Sequence, residues 1–224
     1  MLPGRLARKI RRNMRLGLAL LFAASTVIAG VSALSDRLLD YVAGKYGQEA
    51  RLRLLEWQSL IKSQSNSSDF EKLRLVNSFF NRLPFIDDTV HWGKQDYWAT
   101  PVEFIASNGG DCEDFAIAKY FTLKEMGVPE ERMLITYVKS LKLNQAHMVL
   151  TYYSAQDADP LVLDNLVSEI RQASKRDDLV PVYSFNARDL WLSKERGRGK
   201  RVGSSDRIGL WTDLTERMEA ESRR

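Results

Sequence analysis

An α+β domain is the fold class the sequence predicts, with helices leading and an antiparallel sheet following. Helical periodicity runs through the first half, four short segments rich in β-branched and aromatic residues occupy the second, and turn-like stretches separate them. With 224 residues and 44% hydrophobic composition the chain can bury one sizeable core. Residues 34–192 carry this pattern. The preceding segment, 1–33, and the basic segment 193–224 have different textures.

From Asp36 to about Ile61, Leu38, Leu39, Val42, Tyr46, Ala50, Leu54, Leu55 and Trp57 recur at helical spacing, which predicts helix throughout. Lys62 to Asp69 is a polar connector, and a second helix is expected from Ser68 or Asp69 until just before Pro84. The aromatic stretch "DDTVHWGKQDYWAT" is too polar and irregular for a core element and reads as an exposed loop containing His91. Its Trp92, Tyr97 and Trp98 are candidates for a cleft wall or for core packing. Thr100, Pro101 and Glu103 make a capping-box start for a short helix, which Asn108-Gly109-Gly110 ends. A further helix begins at Asp111 or Cys112, buries Phe115, Ala118, Phe121, Thr122 and Met126, and closes at Gly127 and Pro129.

Strands are expected at 133–138, 146–153, 161–166 and 180–186. After Trp191, "SKERGRGKRVGSSD" has the composition of a mobile tail, with a short helix expected from Asp206 to Met218.

The first 33 residues have the layout of a secretory signal. Six basic residues, from Arg5 to Arg15, precede 18 uncharged residues, Leu16 to Ala33, and Val31-Ser32-Ala33 forms a small-residue cleavage signal. An uncleaved membrane anchor is the competing reading, since a run of that length just spans a bilayer. Six of the 33 Lys+Arg and none of the 29 Asp+Glu lie there, so the remainder holds 27 basic against 29 acidic residues and is about −2. The overall charge of +4 therefore belongs to the targeting segment, and a nucleic-acid partner loses its main support.

One cysteine cannot form an internal disulfide, so in an exported chain Cys112 is reactive, bridged to another molecule, or buried. It falls in the first turn of a helix, where unpaired N–H groups and the helix dipole favour a thiolate. His147 falls at the start of the second predicted strand and Asp164 near the end of the third, next to it in an antiparallel sheet. A thiol nucleophile needs an imidazole, and the imidazole needs an acceptor that orients it; Cys112, His147 and Asp164 supply the three types in that order. Each alone has a plainer explanation, as a small buried residue, a core histidine and a strand end.

Asp111, Glu113 and Asp114 beside a thiolate would raise its pKa by repulsion. A hard divalent cation such as Ca²⁺, bound through Asp111 and Glu113 with Asn144 from the turn "LKLNQ", would cancel that charge. Acids complementing the helix dipole are the competing explanation. Zinc is not indicated, because there is no HExxH and one cysteine with two histidines has no ligand spacing.

Three stretches, "YWATPVEFIASNGGDCEDFAIAKYFTLKEMG", "LNQAHMVLTYY" and "LVLDNL", closely resemble the bacterial transglutaminase-like cysteine proteases of the LapG type. The likeness runs from about Trp57 to Trp191; the basic tail after Ser193 has no counterpart in it. It implies a papain-like, transglutaminase-like core with Cys112 as nucleophile, His147 as general base and Asp164 orienting it. It further implies Ca²⁺ on Asp111 and Glu113 and, less directly, Asn144. By the same resemblance the enzyme is periplasmic and cuts a large surface adhesin near its N-terminal retention module, dispersing biofilm. An inner-membrane cyclic di-GMP receptor would hold it inactive. A non-catalytic binding module and an acyl-transferring transglutaminase are the alternatives on the same fold.

Overall fold

The computed structural model describes residues 34–194 and 197–224, so the signal or anchor expected at 1–33 lies outside the described residues. Two helices, α1 (Asp36–Tyr46) and α2 (Gln48–Gln64), replace the continuous one expected from Asp36 to Ile61. Gly47 separates them at φ +90°, a conformation that glycine adopts without steric cost, so the hydrophobic stripe continues while its axis turns. Ser68 caps α3 (Asp69–Phe80) by accepting from the Glu71 N–H, as the sequence predicts.

The aromatic stretch contains a one-turn helix, α4 (Asp88–His91), and is not wholly exposed. Trp98 is 4% exposed and stacks on Phe185 at 5.6 Å, because its indole fills the space between sheet and helices. His91 is half-buried with its ring edge-on to Trp92. The capping box of α5 (Pro101–Ser107) forms as predicted, and Asn108 leaves it in the left-handed region at φ +63°. Arg53 of α2 donates to the Ile105 and Ala106 carbonyls, two of the acceptors that the end of α5 leaves open.

Helix α6 (Cys112–Glu125) runs through the centre of the molecule and is buried on all sides from Asp114 to Leu123. That is why its sequence shows less amphipathic contrast than a surface helix. Trp57 of α2 donates to the Thr122 hydroxyl at 2.8 Å, joining two central helices by a buried hydrogen bond.

The second half forms one antiparallel sheet among the described residues: β1 (Met133–Ser140), β2 (Gln145–Tyr152), β3 (Leu161–Leu163), β4 (Arg171–Gln172), β5 (Leu179–Phe185), β6 (Asp189–Lys194) and β7 (Gly197–Ser204). Its order is β4-β3-β2-β1-β5-β6-β7. The hairpin register Ser140↔Gln145 and Val138↔His147 places His147 near the open start of β2, and β3 pairs with β2 on its other side. Asp164 is the first residue after β3. Among the described residues no helix is long and apolar enough to cross a membrane.

The tail expected to be mobile is folded. β7 pairs with β6, and α7 (Gly209–Ser222) buries Trp211 and Leu214 in the main core. Trp211 stacks on Phe121 of α6 at 5.6 Å and meets Phe185 edge-on at 5.2 Å. The Gly/Ser/Arg composition that reads as disorder belongs to an edge strand, where charged residues discourage pairing with other chains. Trp211→Ala is expected to cost about 3–5 kcal/mol, measured by denaturant unfolding, whereas a mobile tail would leave stability unchanged.

Candidate active site

Cys112 occupies the first position of α6, and Asp111 before it is extended (φ −106°, ψ −165°). This start depends on a neighbouring acid. The Asp114 carboxylate is fully buried and accepts from the N–H of Asp111 and, at 2.7 Å, from that of Ala99. Gly110 makes room for it, since a Cβ there would lie 2.1 Å from Asp114 Oδ2. Gly109, at φ +145°, has a similar constraint, for its Cβ would meet the Pro84 carbonyl at 2.7 Å. The two glycines therefore do more than end α5: they let the turn close over a buried carboxylate.

The Cys112 thiol is half-buried and donates to Glu113 Oε2 at 3.1 Å. Burial, followed by the charges of Glu113 and Asp111, pushes its pKa well above the ordinary thiol value, while the Met148 N–H from β2 opposes the shift. The sequence-based expectation that the flanking acids work against a thiolate matches this electrostatic balance.

Those acids do not stand alone. Ligand atoms of Asp88, Asp111 and Asp114 lie within 4.8 Å of one another, and so do those of Asp88, Asp96 and Glu113. Burial, then the hydrogen bond and charge of Glu113, raises Asp111 to about 9; burial raises Glu113 to about 7 and Asp88 above its ordinary range. Among the described residues, one buried oxygen each of Asp88 and Asp111 has no hydrogen-bond partner. Asp88 and Asp96 were not legible as site residues, because they lie 15 or more positions before Cys112 in the aromatic stretch. Asn144 stands apart in character, occupying the left-handed position (φ +53°) of the exposed β1–β2 turn, a conformation asparagine tolerates.

His147 and Asp164 are joined directly. His147 Nε2 lies 2.8 Å from Asp164 Oδ1, and both side chains are buried. Burial alone would raise the Asp164 carboxyl, but hydrogen bonds and charge from His147, the Leu166 N–H and Arg176 bring it down to about 2. Asn81 of α3 fixes the adjacent backbone by donating to the Asp164 carbonyl. With β2 packed on α6, the acid-imidazole pair and the cysteine come from elements in direct contact.

The pattern of the bacterial transglutaminase-like cysteine proteinases (BTLCP) matches residues 48–195. The chain belongs to this family. Like other BTLCP members it is a cysteine protease. Solved structures of Legionella pneumophila LapG are similar along most of their length. The EGTA-treated form is 46% identical with a TM-score of 0.73, covering 84% of this chain and 97% of that one. The calcium-bound form is 46% identical with a TM-score of 0.71, covering 84% of this chain and 99% of that one. A comparison with curated proteins finds no match.

One buried charge near the site is not a member of the acid cluster. Lys119 of α6 is 1% exposed, its Nζ has no hydrogen-bond partner among the described residues, and burial lowers its pKa to about 7 against the opposing pull of Asp164. Because the unfolded chain holds this proton more tightly, the group makes stability rise with pH between about 7 and 10.5. Lys119→Met should abolish that rise and stabilise the protein by about 1–3 kcal/mol below pH 7, read by denaturant unfolding across pH.

Proposed function

We propose that this protein is a calcium-dependent cysteine endopeptidase of the periplasm whose triad is Cys112, His147 and Asp164. The observation that carries the reading is the buried His147–Asp164 hydrogen bond beside the helix that begins with the chain's single cysteine. With Nε2 engaged by Asp164, Nδ1 is the ring nitrogen that serves the thiol. The Cys112 thiolate attacks a peptide carbonyl while its own N–H, free at the helix start, donates to the developing oxyanion. His147 passes its proton to the leaving amine, then deprotonates the water that hydrolyses the thioester.

Asp88, Asp96, Asp111 and Glu113 would hold the calcium ion: they offer oxygen ligands only, and the two unpartnered buried oxygens of Asp88 and Asp111 fit a hard cation. When bound, the ion supplies positive charge beside the thiolate and offsets the repulsion of the acids. Similarity at 46% identity to a calcium-bound LapG supports this assignment. Asn144, in the β1–β2 turn, is the further ligand that the resemblance implies. The substrate we propose is the N-terminal region of a large cell-surface adhesin, released to disperse biofilm under control of an inner-membrane cyclic di-GMP receptor. That part of the reading rests on the resemblance carried by the three sequence motifs.

Incubating the protein with an adhesin N-terminal fragment tests the proposal: wild type is expected to cut it, and Cys112→Ala to lose about 10³-fold or more in rate. Equal cleavage by both would exclude Cys112 as nucleophile. EGTA should abolish cleavage and excess Ca²⁺ restore it. Asp88→Asn is expected to weaken calcium binding by about 10-fold or more, measured by calorimetric titration.

A further inference from the structure

Asp164 has two carboxylate oxygens, and only Oδ1 is used by His147. Oδ2 accepts from Arg176 Nη2 at 2.7 Å, and Arg176 in turn donates through Nε and Nη2 to both oxygens of Asp178, each at 2.8 Å. The Arg176 side chain is 3% exposed, as buried as the pair it contacts. The Asp178 carbonyl accepts from the Leu141 N–H at 2.8 Å, at the beginning of the turn joining β1 to the strand that carries His147. The contacts thus form a closed circuit from β2 through His147, Asp164, Arg176 and Asp178 back to the β1–β2 hairpin.

A need merely to fix the 164–166 backbone does not account for this arginine. Asn81 already holds the Asp164 carbonyl, and the Leu166 N–H already binds Oδ1. A buried ion pair is moreover seldom retained for stability, because desolvation offsets most of its attraction. What Arg176 adds is control of rotation and charge. A bidentate-capable, permanently charged fork on Oδ2 keeps the other oxygen aimed at the imidazole. Arg176 with Asp164 and Asp178 sums to one negative charge, which a protonated His147 neutralises.

We propose that Arg176 is a fourth, positioning member of the catalytic machinery, locking Asp164 so that His147 keeps one tautomer and one ring orientation toward Cys112. This rests on the triad proposed above.

The test compares full-length wild type with Arg176→Met, Arg176→Lys and Asp178→Asn in the presence of Ca²⁺. Two readouts apply: the ¹⁵N-NMR signal of the hydrogen-bonded His147 Nε2 proton, in a chain with only two histidines, and the rate at which iodoacetamide alkylates the single cysteine. Arg176→Met is expected to lose the Nε2 proton to exchange broadening and to slow alkylation about 10- to 100-fold, the effect of losing one charge-assisted hydrogen bond. Arg176→Lys should restore part of both. Asp178→Asn, which alters a more exposed partner, should shift both in the same direction by less, and it decides the matter if Arg176→Met does not fold. An unchanged proton signal and unchanged alkylation in Arg176→Met, or in Asp178→Asn where that variant decides, would overturn the proposal. Failure of the triad itself looks different: alkylation would then have the same rate and pH dependence in wild type and His147→Ala, whatever the Arg176 variants do to the Nε2 proton.

Discussion

The buried carboxylate of Asp114 is the constraint around which this half of the molecule is arranged. It accepts N–H groups from two separate segments, Ala99 before α5 and Asp111 at the start of α6, and thereby holds both ends of the connection together. Gly110 follows from it, because no side chain can share that space. Cys112 follows too, since its place at the first turn of α6 is set by the residue that Asp114 clamps. The aromatic stretch carrying Asp88 and Asp96 ends at the same point, so a buried acid brings those two carboxylates to the start of α6.

An arrangement of this kind is electrostatically unbalanced when left to itself. Asp111 and Glu113 flank a half-buried thiol and cluster with Asp88 and Asp96, and burial and mutual repulsion push Asp88, Asp111 and Glu113 toward their neutral forms. The other side of the site is balanced internally, with Arg176 set between Asp164 and Asp178. On the function proposed above, the two sides solve the same problem by different means, a permanent guanidinium on one and an exchangeable ion on the other. Only the exchangeable side would then make activity responsive to the surroundings.

Elements whose signals are local were legible in the sequence. Ser68, the Thr100/Glu103 capping box, the Asn108-Gly109-Gly110 exit and the α6 start each depend on residues within one turn, and they stand where that chemistry places them. The central strands were legible from β-branched runs bounded by turns. Features set by tertiary contact were not. Gly47 looks like one residue of a long helix until its φ is known, and Trp98 looks like a loop residue until Phe185 is beneath it. Glycine and arginine in β7 look like disorder because pairing with β6, and not side-chain hydrophobicity, defines that strand. At the site, Cys112 and His147 stand out by type and rarity, and Asp164 by its place at the end of the strand next to the one carrying His147. Asp88, Asp96 and Arg176 do not, because ordinary acids and arginines become informative only when folding gathers them.

Helix α7 also reaches back to the stretch beside the site. Arg217 reaches the Trp98 carbonyl at 2.5 Å and covers the Tyr97 ring, while Glu221 accepts from the Thr100 hydroxyl at 2.8 Å. The stretch that carries Asp88 and Asp96 is thus fastened by a helix whose contacts lie 119 and 121 positions further along the chain. Loosening α7 would be felt at that stretch before it reached the central sheet. A helix that contributes none of the clustered acids in this way governs how firmly they are held.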